Sequence, residues 1–111
     1  MSREDAPKYD VGKPDWSLVP FDALEPVVRV YEFGAAKYSR HGWRQGFHWS
    51  RIFAAICRHL FAWARGEDRD SESGLPHLAH AAWGVLTLLD MTLRRQGTDD
   101  RLVLVEVGDA V

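Results

Sequence analysis

Between about Leu75 and Arg95 the chain carries apolar residues on two sides of one helix, and few folds accommodate such an element. Leu75, Leu78, Ala82, Leu86, Leu89 and Leu93 recur on one face, with His77, His80, Gly84, Leu88 and Met91 near the opposite one. A helix at the rim of a fold turns one side to water, so this one is either central or at an interface between copies. At 111 residues there is room for one core. The expectation is an all-α protein, a compact bundle of three to four helices forming a single domain over 1–111.

The flanking segments fit that plan. Residues 1–20 are charged and punctuated by Pro7, Gly12, Pro14 and Pro20, which predicts an extended arm pinned to the body by Trp16, Leu18 and Val19. The helical core should cover 21–95. Its first helix has Asp22 and Glu25 as a capping pair, Pro26 in the first turn, and Leu24, Val27, Val28, Tyr31, Ala35 and Tyr38 at helical spacing. Residues 39–49 read as a loop rich in cations and aromatic faces. Ser50 is placed to cap a second helix, whose stripe of Ile52, Phe53, Ile56, Leu60 and Trp63 runs until Gly66. The tail, 96–111, includes a β-branched run from Arg101 to Val107 that predicts a short strand needing a partner.

Ahead of the third helix lies the densest chemistry. Glu67, Asp68, Asp70 and Glu72 supply four carboxylates within six residues, and His77 and His80, three apart, share one side of the helix that follows. Arg58 and His59 lie twelve and eleven residues before Asp70, on the second helix. One reading is a divalent cation or a metal-bound triphosphate held by this group. The other is histidines satisfied by backbone carbonyls, a capping Asp70 or Ser71, and solvated Glu67 and Asp68. Glu32, at the rim of the first helix, is either a further metal ligand or solvated. His59 and Arg58 have equally ordinary alternatives as a core histidine and a surface ion pair. Trp43 and Arg44 offer a surface on which a base can stack, or a core anchor beside a loop cation. Lys13 and Lys37 are solvated by default.

Composition narrows the function class. A formal net charge of −2 argues against a general polyanion binder, so nucleic acid is an unlikely partner. The lone Cys57 allows no disulfide within the chain. Met1 to Asp5 lead into no apolar stretch, and no apolar run approaches the roughly 18 residues of a membrane span. A cytoplasmic setting is expected. The glycine-rich phosphate loops, the nucleophile elbow and the zinc-protease helix motif are all absent.

An ordered series of short motifs carries a resemblance. Gly12-Lys13-Pro14, Leu18-Val19-Pro20, Tyr31-Glu32-Phe33-Gly34-Ala35-Ala36-Lys37-Tyr38, Trp43, Arg58-His59-Leu60, Gly66-Glu67-Asp68 and Asp70-Ser71-Glu72-Ser73-Gly74-Leu75-Pro76-His77-Leu78-Ala79-His80-Ala81 follow one another. Over about residues 8–90 the chain resembles the dATP/dGTP diphosphohydrolase N-terminal domain family of phages and prophages. That family looks related to the all-α, MazG-like nucleoside triphosphate pyrophosphohydrolases. The resemblance implies a helical bundle, usually a homo-oligomer, in the cytoplasm of a bacterium or phage-infected cell. It also implies cleavage of a purine deoxynucleoside triphosphate to a monophosphate and pyrophosphate with a divalent metal ion.

By the same resemblance Glu67, Asp68, Asp70, Glu72, His77 and His80 surround the ion. Arg58 and His59 sit beside it, and Lys13 and Lys37 face phosphate. His77, His80 and Glu72 are the expected catalytic groups; Glu67, Asp68, Asp70, His59 and Glu32 the expected metal ligands; Lys13, Lys37, Arg58, Trp43 and Arg44 the expected nucleotide contacts. His77 and His80 take what looks like the place of the second acidic pair of the MazG-like enzymes. Imidazoles there favour Mn, Co or Zn over Mg, or else contact phosphate. The alternative is a nucleotide-binding or regulatory module of the same fold without turnover.

Overall fold

The computed structural model describes residues 9–102 and is all-α. Three helices make up the body: α1 over Phe21–Lys37, α2 over Trp49–Ala64 and α3 over His77–Arg94. Short 3₁₀ turns at Trp16–Leu18 and Gly42–Gln45 precede α1 and α2. α3 is central, with α2 against one side and α1 against another. Among the described residues there are only isolated bridges, His48 with Thr98 and Arg69 with Pro76. Most of the expected strand, from Val103 onward, lies outside the described residues, as do residues 1–8 of the arm.

Two apolar clusters hold the bundle. Ile52 and Ile56 of α2 meet Ala81 and Met91 of α3, with Trp49 and Leu88 packed alongside. Val27 and Val30 of α1 meet Ala79, flanked by Tyr31, Leu75 and Trp83. Gly84 marks a tight approach of α3 to α2, since a Cβ there would lie 2.4 Å from Cγ1 of Ile56. Burying these side chains removes apolar surface from water at ~25 cal/mol per Å2, the main favourable term in such a core.

The burial pattern corrects several expectations. The core face of α3 is the one with His77, Gly84, Leu88 and Met91, whereas Leu78, Leu86, Leu89 and Leu93 are exposed, Leu93 by 76%. Phe53, Leu60 and Trp63 of α2 are likewise exposed. The 3.6-residue period marks apolar stripes but does not say which stripe meets a neighbour. Trp16 and Leu18 do not pin the arm: they are 74% and 81% exposed, in a turn capped by Asp15.

Helix starts differ as well. Pro20 is the N-cap of α1, and Asp22 lies inside the first turn, where it complements the helix dipole without making a cap bond. Pro26 falls in the second turn, where it has no N–H to donate to the carbonyl of exposed Asp22. α2 begins at Trp49, one residue before the expected cap Ser50. Its first turn is satisfied from afar, because the Asp100 carboxylate accepts from Ser50 N at 2.9 Å and from the Ser50 hydroxyl.

Candidate functional site

The buried stripes of α2 and α3 end in imidazoles. On α2, Ile52 and Ile56 lead to His59; on α3, Met91, Leu88 and Gly84 lead back to His77. With Gly84 against Ile56 and His77 against His59, the two helices run antiparallel and their polar ends coincide. The Nδ1 atoms of His59 and His77 are 2.9 Å apart. His80, one turn along α3, stacks on His59 with ring centroids 4.5 Å apart and planes 8° from parallel. Three rings from two helices thus share one end of the core.

The α2–α3 connection wraps around them. Gly66 adopts φ 94 and lets Glu67 N bond to Ala62 O at 3.0 Å, a glycine-terminated helix end. Asp70 then organises the turn: its Oδ1 accepts from the backbone N–H groups of Glu72 and Ser73, each at 2.9 Å. Asp70 N donates to Leu75 O and His77 N to Asp68 O, both at 2.9 Å. So held, the Ser73 hydroxyl lies 2.7 Å from His80 Nε2. Phe33 meets the edge of the His80 ring from α1.

A cleft of about 590 Å3 opens between α1, α2, the 39–47 segment and this turn. Lys37, Arg51, Arg58, His59, Asp70, Glu72 and His80 give it a polar wall; Tyr31, Trp43 and Trp83 give it an aromatic one. Lys37 is ion-paired with Glu72 at the exposed edge. Trp43 meets Tyr31 edge-on at 5.5 Å, and its own ring carries the Arg44 guanidinium at 4.8 Å. The Tyr31 hydroxyl lies 2.8 Å from the fully buried Thr87 Oγ1.

Burial favours the uncharged form of two of these imidazoles, His59 and His80. Burial, and then the neighbouring rings, push the His59 pKa below its ordinary value, and burial lowers that of His80 against the opposing pull of Asp70. Burial would raise the Asp70 carboxyl, but the N–H donors of Ser73 and Glu72 and the nearby imidazoles outweigh it and hold the group low. Glu72 raises the pKa of Lys37 chiefly through their hydrogen bond.

Imidazoles beside a carboxylate are suitable donors for a metal ion. His59, Asp70 and His77 each offer one ligand atom within 4.8 Å of the others. The His77 side chain is only 7% exposed, and its Nε2 faces Glu67 Oε2 at 3.2 Å without hydrogen-bond geometry, leaving that nitrogen unpartnered. A carboxylate so placed would fix a ligating histidine's tautomer once that hydrogen bond is aligned. The donor set therefore fits a borderline divalent ion.

The remaining expected residues are more scattered. Glu67 stands behind His77 rather than in the cleft, Asp68 is exposed and contributes its backbone carbonyl, and Arg44 reaches the cleft only through Trp43. Glu32 pairs with Arg29 on another part of α1, at 3.0 Å. Lys13 is exposed and does not line the cleft. Two polar groups at the site were not anticipated. Arg51 is seven residues before Arg58, a spacing that puts both on one face and could have been read. Ser73 carried no signal, since its reach to His80 depends on the turn.

The family described as dATP/dGTP diphosphohydrolase, N-terminal, matches residues 3–101. The chain belongs to this family. A relative, the dATP/dGTP diphosphohydrolase of Salmonella phage PMBT28, is 38% identical over 94 residues, covering 85% of this chain. The chain spans about a third (32%) of that relative's length. No solved structure matches. The family match takes in the arm, all three helices and the segment after α3, and so includes every residue of the cleft.

Proposed function

We propose that this protein hydrolyses a purine deoxynucleoside triphosphate of the dATP/dGTP type, adding water across the bond between the α and β phosphates to release a monophosphate and pyrophosphate. The observation that carries this reading is one cleft with cations, neutral imidazoles and an aromatic wall together. Family membership and the activity named for the phage relative support it. Residues 21–95 act as one helical unit in this scheme.

Lys37, Arg51 and Arg58 steady the phosphates, with Lys37 exchanging its Glu72 partner for an anion. Trp43, backed by Arg44, stacks the base. His59, His77 and Asp70 hold a divalent ion, with Glu67 fixing the His77 ring. When bound, such an ion neutralises phosphate charge and polarises a water. His80, neutral and held by Ser73, accepts the proton that the water gives up, and Glu72 lies beside it to take part in the transfer.

Purified protein incubated with dGTP or dATP and Mn2+ or Co2+ should release equimolar monophosphate and pyrophosphate, and a chelator should stop the reaction. Nucleotide binding without any product would favour a second reading, a non-catalytic nucleotide-binding or regulatory module of the same fold. The exposed Leu78, Val85, Leu86 and Leu89 along α3 further support a homo-oligomer, checked by light scattering.

A further inference from the structure

The segment after α3 has no place in the scheme above, yet several hydrogen bonds tie it to the cleft's edge. Thr98 N donates to Phe47 O and Trp49 N donates to Thr98 O, both at 3.0 Å. Trp49 Nε1 donates to Gln96 O at 2.9 Å, and the Arg101 guanidinium lies over the Trp49 ring at 5.0 Å. Gly97, at φ 78, packs so closely that a Cβ would lie 2.4 Å from Phe47 O, and a Cβ on Gly46 would lie 2.7 Å from Gly97 N.

Asp100 completes the strap. α2 has no side-chain cap of its own, and the Asp100 carboxylate supplies one across fifty residues by accepting from both the N–H and the hydroxyl of Ser50. A carboxylate there also complements the positive end of the helix dipole. The segment so held is the one that presents Trp43 and Phe47 to the cleft, and the helix so capped carries Arg51, Arg58 and His59.

We infer that Asp100 is a positioning residue for the cleft: by capping α2 through Ser50 it fixes the 42–49 segment, and with it the aromatic wall that receives the base. This rests on the proposed nucleotide reading for its ligand, although not for the strap itself. Because the imidazoles are anchored independently by the α2–α3 core, losing the cap should weaken substrate binding and spare the chemical step.

The test uses the full chain with dGTP and Mn2+. Asp100→Ala should raise KM about five- to tenfold with kcat within about twofold, the scale of a lost helix cap. Asp100→Asn, which keeps an acceptor, should recover most of the loss, and Ser50→Ala should reproduce part of it. A buried substitution away from the cleft, Val27→Ala, should lower Tm without moving KM. Hydrogen exchange without nucleotide should quicken at residues 42–49 in Asp100→Ala and stay unchanged along 80–90. An active wild type whose Asp100→Ala variant keeps its KM would overturn the inference. If the wild type neither binds nor cleaves dGTP, the nucleotide reading fails; exchange at 42–49 then decides the strap, and unchanged exchange removes it too.

Discussion

His59 and His77 lie eighteen positions apart on different helices, yet their Nδ1 atoms come within 2.9 Å. Two like-facing nitrogens at that distance share one proton between them or share a cation. With Glu67 beside Nε2 of His77, the tautomer carrying its proton on Nε2 leaves Nδ1 free to accept.

Metal binding should therefore register in stability as well as in activity. Zn2+, Co2+ or Mn2+ should raise the Tm of the wild type, by roughly 2.7 kcal/mol of linkage at a hundredfold excess over Kd, and Mg2+ should do less. His59→Ala and Asp70→Asn should each abolish most of that rise. Equal Tm increments in these variants and the wild type would remove the ligand assignment.

His80→Ala should abolish turnover while the bundle stays folded, because His80 is half-buried at the cleft wall rather than within either apolar cluster. Circular dichroism checks the fold and pyrophosphate release the activity. A variant turning over at the wild-type rate would exclude the proton-transfer role.

Tyr31→Phe should cost about 1–2 kcal/mol, since it leaves the fully buried Thr87 hydroxyl without the Tyr31 oxygen 2.8 Å away. Adding Thr87→Val should recover much of that loss, because replacing both polar partners leaves neither unpaired. Denaturant unfolding of the single and double variants gives the comparison.

Gly84→Ala forces a methyl into Ile56 at a tight α2–α3 contact, 2.4 Å from Cγ1. Overpacking of this kind costs about 1–3 kcal/mol. The same shift separates His59 from His77, so metal affinity should fall together with Tm; a change in Tm alone would show that the imidazole end is uncoupled from the core.

Asp100 makes a pH prediction. The Ser50 hydroxyl and then the Ser50 N–H hold its carboxyl below the usual value. A depressed carboxyl stabilises the fold fully above its unfolded value of about 3.9, and that contribution disappears as pH falls through the lower folded value. The Tm gap between wild type and Asp100→Asn should be widest near neutrality and close in acid. A gap that widens in acid would contradict the capping role.

Much of this protein could be read without coordinates. The helical periods of Val27 to Tyr31, Ile52 to Ile56 and Leu78 to Met91, with Gly66 as a stop, place three helices within a residue or two, because period and punctuation are local properties of the chain. The acidic turn and the histidines at 77 and 80 stood out as chemistry for the same reason. Tertiary structure decided the rest: that Met91 and Gly84 face the core while Leu86 and Leu89 do not, that His59 meets His77, that Ser73 reaches His80, and that the cap of α2 comes from Asp100 rather than Ser50. Each is a relation between segments distant in sequence. Such relations depend on which surfaces pack together, and no single segment's pattern contains that information.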